Sequence, residues 1–151
     1  MSAIGPLLAA LDEQRIEWLI TVPGSGLGEL YCHYERRRRC IYATREEEGV
    51  AIASGLTLGA RRAAVAMQQS GVGNALNAVF TLADAYQIHF PLLVFDRSQN
   101  DVNPVQRVSS RCTQRVLSGL GSVTLSWSDP GSARAFGEAL AARTRWIVCN
   151  L

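Results

Sequence analysis

Apolar residues recur along the chain in two kinds of pattern. Short unbroken runs alternate with longer stretches in which apolar residues return every three or four positions. Leu7, Leu8 and Leu11 have helical spacing within residues 6–15, and residues 18–22 (Trp-Leu-Ile-Thr-Val) then read as a strand. The loop Pro23-Gly24-Ser25-Gly26 leads to a helix over 27–35. Residues 40–43 read as a second strand, 44–59 as a helix opened by Thr44, and 63–67 as a third strand. The turn Ser70-Gly71-Val72-Gly73 precedes a helix over 74–85. A fourth strand follows at 91–95, then a long polar loop over 96–107, a helix over 109–117 and a strand over 122–125. The segment 132–143 places Ala135, Phe136, Ala139 and Leu140 on one helical stripe, and residues 146–149 form a sixth strand.

The strands are apolar without alternation, as strands buried on both faces must be. Strand and helix alternate to the end. The pattern predicts a single α/β domain over 1–151, a three-layer αβα arrangement around a six-stranded, mostly parallel sheet. In such sheets ligands bind beyond the carboxyl ends of the strands. Three segments fall there: 22–26, 44–48 and 68–74.

Composition narrows the function. The chain has 151 residues, and its formal charge of +2 speaks against an electrostatic nucleic-acid binder. No apolar run approaches the roughly 18 residues of a membrane span. The first residues lack the basic stretch and apolar run of a signal peptide, so the expected location is the cytoplasm. All 15 basic residues are arginine, which excludes a Walker lysine and a Schiff-base lysine. Cys32, Cys40, Cys112 and Cys149 form no CxxC pair, and reduced structural thiols are the expectation.

The candidate motifs each have a plain structural reading. Gly24-Ser25-Gly26-Leu27-Gly28-Glu29 has glutamate where a dinucleotide fingerprint needs glycine, and the Gly71–Gly73 turn fails in the same way at Leu76. A flavodoxin-like nucleotide binder is therefore disfavoured. Thr44 and Glu47 have capping-box spacing, which accounts for the acidic run Glu46-Glu47-Glu48 as a group. Glu46 also precedes Val50, Ala53 and Leu56 at helical spacing, so it can start a buried stripe and act as a functional acid. Arg36 to Arg39 read as a solvated helix end or as an anion contact. Nothing local gives His33 or His89 a partner.

Taken in order, Val22-Pro23-Gly24-Ser25, the stretch from Glu46 to Gly55, and Met67-Gln68-Gln69-Ser70-Gly71-Val72-Gly73-Asn74 resemble the pyrimidine-binding (PYR) domain of thiamine-diphosphate enzymes. Among these the resemblance is greatest to the alpha subunits of sulfopyruvate decarboxylases and the matching domain of phosphonopyruvate decarboxylases. It implies a lyase that uses thiamine diphosphate to decarboxylate a small anionic 2-oxo acid. The family's activating glutamate stands nine residues before the glycine that matches Gly55. That implies Glu46 as the catalytic residue and leaves Glu47 for the cap. By the same resemblance Pro23, Gly24, Gly73 and Asn74 join Glu46 in binding the cofactor, and Ser25, Gln69 and Arg97 lie near the substrate. Gln68-Gln69 and Asp96-Arg97 stand where the most similar members have Gln-Asn and paired arginines.

These enzymes hold the diphosphate and its Mg2+ with a Gly-Asp-Gly…Asn motif on a second domain. This sequence has no Gly-Asp-Gly. The resemblance therefore implies half a site and no metal ligand in this chain. The other half would come from a separate beta subunit, and a homo- or hetero-oligomer is expected to form through the surface near the three loops. Glycine and alanine at Gly49, Ala53 and Gly73 are expected to permit the close approach. A carboligase of the acetolactate type and a non-catalytic, partner-binding paralogue are the alternatives.

Overall fold

Six short strands lie side by side in a computed structural model that describes residues 4–97 and 101–151. They are β1 (Trp18–Thr21), β2 (Cys40–Tyr42), β3 (Ala63–Gln68), β4 (Leu92–Phe95), β5 (Val123–Ser126) and β6 (Trp146–Asn150). Their order is β2-β1-β3-β4-β6-β5, and every neighbouring pair is parallel. The sheet is thus wholly rather than mostly parallel.

Alternate side chains of the strands feed two separate cores. Leu19, Ala66, Leu93 and Ile147 pack beneath α1 (Ile4–Glu13), α2 (Gly28–Glu35) and α6 (Ser132–Ala141). Ile20, Val65, Met67, Leu92 and Val148 pack beneath α3 (Glu46–Leu58), α4 (Val72–Ala78) and α5 (Pro104–Gly119). Burial on both faces is why the strands carry no polar alternation. It also decides Gly49 and Ala53. Ala53 is fully buried, and a Cβ at Gly49 would meet Val65 Cγ1 at 3.3 Å. Both therefore serve close packing of α3 on its own sheet, and only Gly73 remains open to an approaching surface.

Three local readings change. First, the helix expected over 74–85 starts at Val72, after a 3₁₀ turn at Gln69–Gly71, and passes into π-type turns at Val79–Asp84. Val79 and Ala83 keep that stretch buried. Second, α5 begins at Pro104, within the segment read as loop. Asn103 accepts a hydrogen bond from the Val105 amide (3.0 Å), and Pro104 occupies the first turn, where its missing N–H costs nothing. The start is hard to read because Val105, Val108 and Val116 face outward while Ser110 and Leu117 face the sheet. Residues 98–100 of that loop lie outside the described residues.

Third, the cap of α3 shifts by one residue. Arg45 is the N-cap, and the Glu48 carboxylate accepts from the Thr44 hydroxyl (2.6 Å) and amide (2.8 Å). Those two bonds hold the Glu48 carboxyl below its ordinary range. Glu47, the expected capping partner, pairs instead with Arg45 at 2.7 Å.

The arginine run is used piecemeal. Arg37 pairs with Asp12 (3.0 Å), Arg39 stacks over Trp18 (4.8 Å), and Arg38 takes a left-handed conformation after α2. His33 also reaches Asp12, at 3.1 Å. Burial opposes ionisation of Asp12, but the His33 and Arg37 hydrogen bonds outweigh it and hold its carboxyl low. Among the described residues no helix is long and apolar enough to cross a membrane. The four thiols are unbridged, and burial pushes Cys149 up to about 12.

Candidate active site

The carboxyl ends of β1, β3 and β4, together with the first turn of α3, bring most of the singled-out residues to one edge of the sheet. β1 ends at Thr21, whose hydroxyl is buried and donates to the Ala66 carbonyl (3.0 Å), locking β1 to β3. The chain then turns through exposed Pro23 to Gly24. Gly24 donates its amide to the Tyr31 hydroxyl of α2 (2.8 Å). A Cβ at Gly24 would stand 2.7 Å from Gln68 Cγ, so a larger residue there would have to displace the Gln68 side chain.

The first group is Glu46, Gly71 and Asn74. Glu46 is the first residue of α3 and is only 9% exposed. Asn74 Nδ2 donates to its Oε2 at 2.9 Å. Its Oε1 lies against Gly71 and takes no hydrogen bond from a described residue. A Cβ at Gly71 would overlap this carboxylate, standing 2.5 Å from Cδ. The glycine turn is therefore shaped around the acid. Gly73, two residues on, is exposed, with nothing within 4 Å of where a Cβ would be.

The second group is Ser25, Gln68, Arg97 and Asp101. Gln68 Nε2 donates to Ser25 Oγ (3.2 Å), which also accepts a short hydrogen bond from the Arg97 guanidinium. Arg97 is anchored by Asp101, with Nε and Nη2 each 3.0 Å from Oδ2. The Asn103 amide and then Arg97 hold the Asp101 carboxyl below its ordinary range.

Gln69 joins the two groups from inside. It is 1% exposed, and both ends of its amide are bonded within the chain. Nε2 donates to Gln106 Oε1 (2.8 Å), and Oε1 accepts from the Arg97 amide (3.1 Å). The Thr113 hydroxyl donates to its carbonyl at 3.0 Å. The side chain expected near a substrate is thus a buried tie, and its neighbour Gln68 is the half-exposed one. Asp101, Gln106 and Thr113 had no local signal at all. Among the described residues no three His, Cys, Asp or Glu side chains gather to hold a metal.

Residues 2–106 match the family described as "Thiamine pyrophosphate enzyme, N-terminal TPP binding domain". Three curated relatives carry the name "Sulfopyruvate decarboxylase subunit alpha". Those of Methanococcus maripaludis and Methanocaldococcus jannaschii are each 32% identical, over 68% and 72% of this chain. The matched stretches are 61% and 66% of those relatives, so the chain spans less than two thirds of their length. The Methanothermobacter thermautotrophicus relative is 32% identical over 95% of this chain and 90% of its own. With Glu46 and the glycine turn at the edge where such sheets bind ligands, the match gives the chain its place: it belongs to the thiamine pyrophosphate enzyme family and carries that family's N-terminal TPP-binding domain.

Proposed function

We propose that this chain is the pyrimidine-side subunit of a two-subunit thiamine-diphosphate decarboxylase acting on a small anionic 2-oxo acid of the sulfopyruvate kind. The observation that carries the reading is the Glu46 carboxylate, nearly enclosed, with one oxygen held by Asn74 and the other free of described partners. An acceptor held this way suits a charge-assisted hydrogen bond from a protonated ring nitrogen. The shared name of the three relatives supports the substrate class.

Glu46 would meet the cofactor's aminopyrimidine at N1′, with Pro23, Gly24, Gly73 and Asn74 around the ring. Bound there, thiamine diphosphate would supply the electron sink for the carbanion left when carbon dioxide departs. Glu46 holds and passes the proton at N1′. Asn74 fixes the orientation of Glu46, and Gly71 leaves room for its carboxylate. Ser25, Gln68 and Arg97 face the anionic end of the substrate, with Arg97 oriented by Asp101. Gln69 acts as a positioning residue through its buried bonds. The diphosphate and Mg2+ fall to a beta subunit bearing the Gly-Asp-Gly…Asn motif that this sequence lacks.

The test is carbon dioxide release from sulfopyruvate by the chain combined with such a beta subunit, saturated with cofactor and Mg2+. Glu46→Gln should lower the rate by on the order of 10²-fold or more, the scale of a positioned acid or base. Glu47→Gln, one residue away and turned to Arg45, should stay within a few-fold of the parent. Equal rates for the two variants overturn the role of Glu46. Tight thiamine diphosphate binding by the chain alone, read by calorimetry, overturns the shared site.

A further inference from the structure

The helix α5 carries apolar residues on the side that faces solvent. Val105, Val108, Cys112 and Val116 fall at helical spacing and are all exposed, while Ser110 and Leu117 on the opposite side are buried. Val102, just before the cap, is 92% exposed. A lone apolar side chain on a surface needs no explanation, but a continuous stripe along one helix does. Valine is a poor helix former, so these positions do not stabilise α5 by themselves. At 1.5 Å per residue the stripe is about 16 Å long.

The surroundings of the stripe say what would cover it. Arg107, Arg111 and Arg115 follow at four-residue spacing along one flank, and α5 contains no acidic residue. Arg107 is engaged, donating to the Asp101 and Val102 carbonyls (3.0 and 3.4 Å). Arg111 and Arg115 are exposed and make no bond or ion pair with a described residue. With Gln114 and Ser118 they line an open hollow of about 550 Å³ beside the helix. Asp96 accepts from Gln114 on that side (2.7 Å), so the flank keeps an excess of positive charge. A contact between two copies of α5 would set these arginines together with no acid on the helix to offset them. The helix also starts at the carboxyl edge of the sheet, where Gln106 and Thr113 hold Gln69. A chain that completes the site at that edge comes within reach of the stripe.

We propose that the solvent face of α5 docks an amphipathic helix of the beta subunit, its apolar residues on Val105, Val108 and Val116 and its acidic residues on Arg111 and Arg115. The proposal rests on the two-subunit reading above. Anchors repeated at helical spacing along a straight stripe fit a helix laid on a helix. Covering the valines supplies affinity without direction, and the arginines set the register and reject a basic partner.

The test is calorimetric binding of the full chain to a beta subunit bearing the Gly-Asp-Gly…Asn motif, with thiamine diphosphate and Mg2+ present. Val105→Ser/Val108→Ser should raise the Kd at least about tenfold. Arg111→Glu/Arg115→Glu should raise it by a similar factor, and added salt should weaken the parent complex more than this variant's. Arg36→Glu, exposed on the other helical layer, is the control and should stay within about twofold of the parent. All the substituted side chains are exposed, so each variant should keep the parent's fold and melting temperature. Parent affinity in either double variant, or an equal loss in Arg36→Glu, overturns the proposal and leaves the two-subunit reading standing. Failure of the parent chain to bind overturns both. Phosphatidylserine vesicles that hold the parent but not the valine variant, or a self-association of the chain that this variant loses, would give the face another occupant and overturn the proposal alone.

Discussion

The two ends of the sheet treat their polar side chains differently. At the carboxyl end each is tied to another: Asn74 to Glu46, Gln69 to Gln106 and the Arg97 amide, Arg97 to Asp101 and Ser25. At the amino end Arg145 holds the backbone carbonyls on either side of His89, yet the buried imidazole nitrogen has no described partner. The first arrangement fixes a geometry, with Glu46 Oε1 left over. The second leaves one enclosed nitrogen unpaired among the described residues. Substitutions at the two ends should therefore differ in sign as well as size.

The largest effect belongs to the glycine turn. Gly71→Ala forces a Cβ into the Glu46 carboxylate and should destabilise the chain by about 1–3 kcal/mol, the usual scale of overpacking. Gly73→Ala meets open space within a helix and should be neutral or up to about 1 kcal/mol stabilising. The same Gly73 variant should weaken cofactor binding in the combined enzyme if the pyrimidine lies against that residue. Equal melting temperatures for the two variants would remove the claim that the turn is shaped around Glu46.

A smaller difference should separate Gln69 from His89. Gln69→Leu strands Gln106 and the Arg97 amide and should cost about 1–2 kcal/mol. His89→Leu removes an unpaired buried nitrogen and should leave stability at pH 7 unchanged or higher. Urea midpoints for both variants decide this. A large loss in His89→Leu would show that the imidazole has a partner the comparison overlooks.

The pH dependence sharpens the same contrast. The folded-state pKa of His89 is depressed, so the unfolded chain binds its proton at higher pH than the folded chain does. Stability from this group is then fully present above the ordinary histidine value of about 6.5 and is lost as pH falls toward the folded value. The slope cannot exceed about 1.4 kcal/mol per pH unit for one proton. Between pH 7 and 5.5 the parent should therefore lose stability more steeply than His89→Leu. Identical slopes would mean that the imidazole is freely solvated.

The smallest effect is at the start of α3. Glu48→Ala removes both bonds to Thr44 and should lower the melting temperature by about 2 °C. Glu47→Ala loses only an exposed pair with Arg45 and should be nearly silent. The reverse order would restore Glu47 to the cap.

The order of elements and the parallel sheet were legible in the hydrophobic pattern alone, because strands buried on both faces must be apolar throughout and each crossover needs a helix. Spacing placed Glu46 at the head of a buried stripe, and the family resemblance, not spacing, is what chose it over Glu47. Local rules stop where a contact joins distant segments. The Glu48 cap differs from the Glu47 reading by one residue of helix phase, which spacing cannot resolve. The early start of α5 is masked by valines that face outward. Gln69 and Gln68 are adjacent glutamines, and only the packing of α5 against the turn after β3 makes one a buried tie and leaves the other half-exposed. A hollow at the amino ends of β3 and β4 is further still from local reading, since Arg61, Arg62 and Leu140 line it together only when β3, β4 and α6 are in place. Hydrophobic periodicity records which way a residue faces, whereas a polar side chain's partner is set by whatever the folded chain brings within about 3 Å of it.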